Sequence, residues 1–564
     1  LTRASPRRGR LLATCLGDCV HVAGVRRFLG FAREAGYETR FLGAAQPVER
    51  VIEEVRSWNP DILALSYRLT PGSLERLLAS LKHRLKPELD GGLRMIFGGT
   101  NPNCAVAVAT GLFEATFGSA AGDQTVRRYL SGGDFTRRPA ALPDTLVARI
   151  KAKAPFPLIR HHFGQPTVDE TVAGAERIAE SGAVDVLSLG PDQNAQANWF
   201  HPGEMDPAQD GAGGVPLRTE EDLRRIYVAT RRGNHPLVRC YSGTRDIVRM
   251  GRVLQDTIHN AWAAIPLFWY NVLDRRSGRP LREAIAENLE GIAWHAARGV
   301  PVEVNDSHQW SLRAAPDAVA VTAFYLAAYN ARQGGVRDYV AQMMFNTPAG
   351  TRADMDLGKM LAKLELIDEL AGDSFRVWRE TRTGLASMPA DRDLAVGHLC
   401  GSIALQLGVR PHVVHVVGFS EADHAATAED LIHSTRIAAG VIAGLVEGQP
   451  EMSGDPHVAA RRDELLSEAR VVIGAIRELA PRGTADPLSD PETLARSVEC
   501  GLLDAPDLAG NPAAAGTVRT AIVDGACRAV DDGGRPVAES RRVAEALGRA
   551  RQMLSNGGTR WHKH

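Results

Sequence analysis

No apolar run in the sequence reaches the roughly 18 residues needed to cross a bilayer, so no membrane-spanning helix is expected. The start, Leu1 to Arg10, is basic and lacks the apolar core of a secretory signal. Cysteine is scarce: the spacings of Cys15, Cys19, Cys104, Cys240, Cys400, Cys500 and Cys527 match neither a CxxC zinc site nor a dense disulfide framework, which predicts reduced thiols and a cytoplasmic protein. An excess of one charge is also missing. Lys and Arg total 66 against 67 acids, which leaves no electrostatic footprint for a nucleic acid or an anionic membrane, and a small molecule is the expected partner. There is no internal repeat and no low-complexity tract.

What is there is a 564-residue chain with 44% apolar residues, enough for two or more packed domains. Up to about residue 130 short apolar runs alternate with amphipathic stretches. Strands are predicted at Leu11 to Cys15, Thr39 to Leu42, Ile62 to Leu65 and Met95 to Phe97, with helices carrying Val25, Phe28, Leu29 and Ala32, then Val48 to Val55, then Leu74 to Leu81. This is an α/β pattern with a parallel sheet covered on both faces, and its ligands belong beyond the C-terminal strand ends. The polar stretch from Leu130 to Arg138, followed by Pro139 and Pro143, reads as part of a linker over residues 131–154.

Eight further strands are predicted at Leu158 to Phe163, Val184 to Leu189, Leu237 to Tyr241, Ile265 to Val272, Val302 to Val304, Val340 to Phe345, Phe375 to Thr381 and Val413 to Val417. Eight β/α units within residues 155–484 predict a (β/α)8 barrel, a TIM barrel, whose active site lies at the strand ends. Polar residues cluster there: His161-His162, Asp192, Arg239, Tyr270-Asn271 and Asn305-Asp306. Residues 485–564 read as a helical extension of unassigned role.

The loop after the first strand reads Gly17-Asp18-Cys19-Val20-His21-Val22-Ala23-Gly24. An imidazole with a carboxylate near its second nitrogen is a sensible metal ligand, and a glycine at the helix start permits close approach of a bulky group. Other strand ends add Ser66 and Thr70, then Gly98-Gly99. With these residues the segment from about Leu11 to Leu130 resembles the flavodoxin-like B12-binding domains of cobalamin-dependent mutases and methionine synthases. The resemblance implies cobalt ligation by His21, with Asp18 behind it, Gly24 at the helix start, and Ser66, Thr70, Gly98 and Gly99 around the nucleotide tail of the cofactor. Asp18 stands three residues before His21 where the family motif has two. Ligation by His21, base-off binding without it, and loss of cofactor binding therefore stay open.

Over roughly residues 155 to 455 the chain resembles the large subunit of glutamate mutase (methylaspartate mutase), on Leu237-Val238-Arg239, Ser242-Gly243-Thr244, Tyr270-Asn271-Val272, Glu421-Ala422 and Gly444 to Gln449. The resemblance implies adenosylcobalamin as cofactor, a radical mutase reaction and a homodimer through the barrel. At the positions of that family's three substrate arginines stand His162, Gln196 and Arg239. Arg160, two residues before His162 and deeper in the barrel, is not counted as a replacement. The family's ammonium-binding glutamate falls near Ala264, so a small anionic substrate other than glutamate is implied, with Arg239 holding its anionic group and His162, Gln196 and Tyr270 beside it. Glu421 matches a contact to the adenosyl ribose, while Val417 stands at the neighbouring family lysine. His295, His308, His398, His412, His415 and His424 receive no role. A cobalamin-dependent methyltransferase and a non-catalytic cobalamin sensor or carrier are the alternative readings.

Overall fold

The computed structural model describes residues 8–118, 123–130, 142–446, 448 and 450–555. The first residues of the basic start, most of the linker stretch, Glu447 and Gln449 lie outside them. The chain divides into two compact units, Leu1–Ala140 and Ala141–His564.

In the first unit, apolar runs that are buried on both faces form the middle of a parallel sheet. The strands are β1 (Arg10–Leu16), β2 (Glu38–Gln46), β3 (Ile62–Tyr67), β4 (Arg94–Gly99) and β5 (Ala115–Phe117). Their spatial order is β2-β1-β3-β4-β5, all parallel, the flavodoxin-like arrangement. The chain leaves β1 toward one sheet edge and returns through β3 toward the other, so a crevice opens at the C-terminal ends of β1 and β3.

The second unit is a nearly closed eight-stranded parallel barrel: β6 (Leu158–Phe163), β7 (Val186–Leu189), β8 (Leu237–Cys240), β9 (Ala263–Ile265), β10 (Val302–Val304), β11 (Asp338–Phe345), β12 (Arg376–Thr383) and β13 (Val413–His415). The seam between β8 and β9 is bridged by Ala261 N–H to Val238 O at 2.9 Å and by the Ser242 hydroxyl to Ala264 O at 2.7 Å.

The sequence pattern overextends one strand. Ile265 to Val272 was expected as a single strand, but β9 ends at Ile265. Pro266 has no N–H to give a neighbour, and the next donors go to carboxylates. Asp306 accepts from Leu267 N–H and, at 3.1 Å, from Phe268 N–H; Asp274 accepts from Tyr270 N–H at 3.1 Å and Asn271 N–H at 3.0 Å. Asp306 is fully buried, and burial pushes its carboxyl up to about 7. Asp306→Ala is expected to cost about 2–4 kcal/mol, because two buried N–H groups lose their acceptor. Calorimetric unfolding of the variant checks this, and a change below about 0.5 kcal/mol would mean that other acceptors hold the loop.

Part of the expected linker is helical. Helix Leu146–Lys153 precedes β6, and its buried Arg149 donates to Pro143 O at 2.9 Å, Asp185 O at 3.2 Å and His235 O at 3.0 Å, tying it to the loops before β7 and β8. The C-terminal stretch is mainly helical, with helices Pro491–Glu499 and Glu539–Ser555, but it also carries the hairpin β14 (Thr520–Val523) and β15 (Ala526–Ala529). Leu494, Val498 and Val543 share one apolar core with Val319, Leu326 and Leu357 of the barrel helices. Buried Asp317 fastens the hairpin by accepting from Cys527 N–H at 3.2 Å and Arg461 Nη2 at 2.9 Å.

Candidate functional sites

The loop from β1 to helix Ala23–Glu34 borders a cavity of about 540 Å³ in the first unit. His21, Gly24, Ser66, Gly98 and Gly99 line it, with Phe28, Phe117, Arg68 and Asn101. The glycines differ in what they allow. A Cβ on Gly99 would lie 2.6 Å from Tyr67 O, so the sheet itself demands glycine there. A Cβ on Gly24 would meet nothing within 4 Å and one on Gly98 only Phe117 O at 4.0 Å, so both leave room for a ligand to come close.

Two expected residues fall outside this cavity. Thr70 stands just before helix Pro71–Arg84, and its hydroxyl donates to Ser73 Oγ at 2.9 Å and accepts from no helix N–H. Asp18 is exposed and, among the described residues, makes no hydrogen bond to His21. The inward position in that turn goes to Cys19, whose Sγ lies 3.7 Å from His21 Nδ1. The extra residue in the motif accounts for this, since it turns Asp18 toward solvent and the neighbouring thiol inward. His21 is exposed at the cavity, and its Nε2 makes no hydrogen bond among the described residues. An imidazole held through Nδ1, an open Nε2 and an apolar, glycine-floored crevice fit a cobalamin whose lower base has been displaced.

In the second unit a cavity of about 330 Å³ lies at the C-terminal ends of the barrel strands. His162, Gln196, Tyr270 and Glu421 all line it, so four of the barrel positions picked out in the sequence come together. Arg239 does not line it. Inward residues on alternate strands form layers in such barrels. Arg160 on β6, Arg239 on β8, Glu303 on β10 and Glu380 on β12 make one buried layer, in which Arg239 Nη2 reaches Glu303 at 2.8 Å and Arg160 pairs with Glu380. Two residues further along the same strands come His162, Tyr241, Asn305 and Arg382. The Tyr241 ring, with its centroid 4.9 Å from the Arg239 guanidinium, covers that arginine from the cavity. Arg239 is therefore a structural charge beneath the floor, and the expectation that it anchors substrate is corrected.

The residues missed in the sequence sit in or beside the upper layer. Arg382, Tyr241, His308, Gln309 and His415 all line the cavity. Arg382 was legible in principle, because Glu380 and Arg382 continue one inward face of a period-two strand. His415 is the last residue of β13 and His308 lies four residues past β10.

The histidines here are neutral. Arg160 Nη2 lies 3.0 Å from His162 Nε2; a guanidinium only donates, so Nε2 accepts and the proton sits on Nδ1. Burial, reinforced by the Arg160, Arg239 and Arg382 charges, holds His162 well below the ordinary imidazole range. Burial and the arginines do the same to His308 and His415, and lower His161 to about 4. Tyr270 has a left-handed backbone, φ +67°, which a tyrosine adopts only under constraint. The constraint is visible: its carbonyl accepts from Ser277 Oγ at 2.9 Å and Arg279 Nη2 at 3.0 Å, and burial raises its phenol above the usual range.

The family model for the B12 binding domain matches residues 9–121, so a B12-binding domain is present and cobalamin binding is supported. No curated protein sequence matches the chain. Among solved structures it is similar to a novel cobalamin-binding protein from Desulfitobacterium hafniense DCB-2, with 23% identity over 22% of this chain and 58% of that one and a TM-score of 0.19. It is also similar to phospho-2-dehydro-3-deoxyheptonate aldolase from Thermotoga maritima, at 13% identity over 51% of this chain and 70% of that one, TM-score 0.31. A third is the cobalamin-dependent S-adenosylmethionine radical enzyme OxsB, at 11% identity over 78% and 57%, TM-score 0.18. The chain thus spans somewhat over half of the first of these proteins, and at such TM-scores the three likenesses decide nothing about architecture. Among the described residues no helix is long and apolar enough to cross a membrane, and no cluster of three His, Cys, Asp or Glu side chains forms a metal site.

Proposed function

We propose that the chain is an adenosylcobalamin-dependent radical carbon-skeleton mutase related to glutamate mutase, acting on a small anionic substrate other than glutamate. The observation that carries this reading is the pairing, in one chain, of a B12-binding domain with a barrel cavity whose histidines are all neutral and whose one exposed acid, Glu421, lies at the rim. Such a wall is suited to binding and enclosing a substrate, and radical chemistry asks no more of it, because the cofactor carries the difficult step.

In this reading His21 would hold cobalt through Nε2, with Cys19 beside Nδ1, and the crevice over Gly24 and Gly98 would take the nucleotide tail. When bound, the cofactor would supply the radical chemistry for hydrogen abstraction. The barrel residues position the substrate and keep water out: His162 donates from Nδ1–H, Gln196 and Tyr270 offer neutral polar groups, and the Tyr241 ring closes the floor. Glutamate is disfavoured because Ala264, at the position of the family's ammonium-binding glutamate, is a buried strand residue, and burying an ammonium without an acid is costly.

The reaction class is tested with adenosylcobalamin deuterated at its 5′ carbon. Incubation with a panel of short hydroxy- and oxo-acids is expected to move deuterium into one of them. Demethylation of methylcobalamin without any deuterium transfer would replace the mutase with a methyl carrier, and neither reaction from a cobalamin-loaded protein would leave a sensor or carrier.

A further inference from the structure

Three arginines place their guanidinium groups inside the barrel, and they are not equivalent. Arg160 is paired with Glu380 and Arg239 with Glu303. Arg382 is only 7% exposed, yet among the described residues it has no ion pair and no hydrogen bond; its Nε is buried without an acceptor, as are Nε and Nη1 of Arg239, but Arg239 keeps its carboxylate and Arg382 has none. A guanidinium cannot shed its proton to escape the cost of burial, so it requires an anion or ordered water. Arg382 lines the 330 Å³ cavity, where such an anion would sit.

We propose that Arg382 is the anchor for the anionic group of the barrel's ligand, and that this ligand is a short monocarboxylate whose second polar group is an uncharged hydroxyl or oxo group. The proposal rests on the reading of this cavity as the substrate site, and it names the substrate class. One anion is indicated because, among the described residues, Arg382 is the one buried arginine of the barrel interior without an ion pair; Glu421 at the rim feels its charge but is not paired with it. Arg276, the other arginine on the wall, is exposed at the rim, 3.7 Å from Asp274 and stacked on the Tyr270 ring. The uncharged second group follows from the rest of the wall. His162, His308 and His415 face the cavity as neutral imidazoles, partly because the Arg382 charge opposes a second cation beside it. Neutral imidazoles and glutamines pair with hydroxyl and carbonyl oxygens; among the described residues the one acid on the wall is Glu421 at its rim, where burial raises the carboxyl toward its neutral form and the Arg382 charge opposes an ammonium beside it. The volume stands at the low end for ligand pockets, which suits a short acid and excludes a nucleotide ester.

The test is calorimetric titration of the full chain, without cobalamin, with 2-hydroxybutyrate, 2-oxobutyrate, 2-aminobutyrate and glutarate. Saturable binding is expected for the first two, with the amino acid and the dicarboxylate at least about tenfold weaker. Arg382→Gln should weaken the hydroxy- or oxo-acid roughly 10- to 100-fold, whereas Arg276→Gln should change it by no more than about threefold. Thermal unfolding guards against a merely structural role: removing an unpaired buried cation should leave the midpoint of Arg382→Gln unchanged or raised. Equal binding by Arg382→Gln, equal or tighter binding of 2-aminobutyrate or glutarate, no binding of any probe by the parent, or a clearly lowered midpoint in the variant would each overturn the proposal. Binding as expected without deuterium transfer in the loaded protein would instead overturn the mutase reading and leave this anion site standing.

Discussion

Replacing Glu303 by alanine is expected to destabilise the barrel by about 3–5 kcal/mol, the usual consequence of removing one partner from a buried ion pair. Glu303 accepts from Arg239 Nη2 at 2.8 Å, Trp262 Nε1 at 2.8 Å and Gln342 Nε2 at 3.0 Å, and it lies 3.7 Å from Arg160. Its loss leaves two buried guanidinium groups with Glu380 as the one acid in their layer. Glu303→Gln should cost less, because an amide keeps an acceptor for Trp262 but not a charge for Arg239. The double change Glu303→Leu with Arg239→Met removes both charges and should be less harmful than Glu303→Ala alone. Calorimetry of the three variants checks the order. If Glu303→Ala shifts stability by less than about 1 kcal/mol, the layer is hydrated and the contrast drawn between Arg239 and Arg382 loses its basis.

Acidification is expected to destabilise the protein steeply as pH falls below about 6.5. Burial holds His162, His308 and His415 well below the ordinary range, and lowers His161 and His412 to about 4. Below pH 6.5 the unfolded chain binds protons at these sites that the folded chain refuses, so stability falls by up to about 1.4 kcal/mol per pH unit for each histidine. Asp306 and Glu468, raised to about 7 by burial, act the other way, because folding favours their protonated forms. Burial also raises Asp356, Asp368, Glu380, Glu421 and Glu499, which lessens the slope; because unfolded imidazoles begin to take up protons at a higher pH than carboxylates, the net slope expected between pH 6.5 and 5.5 is downward toward acid. Thermal midpoints at pH 7.5, 6.5 and 5.5 measure it. The slope should flatten in Arg382→Gln, which removes a charge opposing protonation of the cavity histidines. A midpoint that stays level from pH 7.5 to 5.5 would mean that water or counter-ions reach these rings.

The sequence makes the strands legible because both sheets are parallel and buried, so each strand is a short apolar run between helical patterns. It fails where side chains replace strand partners. Ile265 to Val272 has the composition of a strand, and only the positions of Asp306 and Asp274 in space show that carboxylates take its N–H groups. At the site, His162 and Tyr270 are recoverable because they stand near predicted strand ends, and Gln196 and Glu421 through the resemblance to the glutamate mutase subunit. Arg239 misleads because a strand-end arginine looks the same whether it faces the cavity or lies one layer below, and only the covering Tyr241 ring separates the two. The histidines His308 and His415 were passed over because a histidine next to a strand carries no mark of its depth. In the first unit Thr70 and Asp18 fail for a local reason, since turn geometry decides which of two adjacent polar residues faces inward, and in the second case Cys19 takes that place.

The most direct measurement is an anaerobic titration of the protein with adenosylcobalamin, followed by the visible spectrum, for the parent chain and for His21→Ala. The account predicts that the parent binds with the cofactor's own lower base displaced and a histidine spectrum in its place, and that His21→Ala loses that histidine signature and binds roughly 10- to 100-fold more weakly. No spectral change with either protein would contradict cobalamin binding, and identical spectra from both would contradict His21 as the ligand.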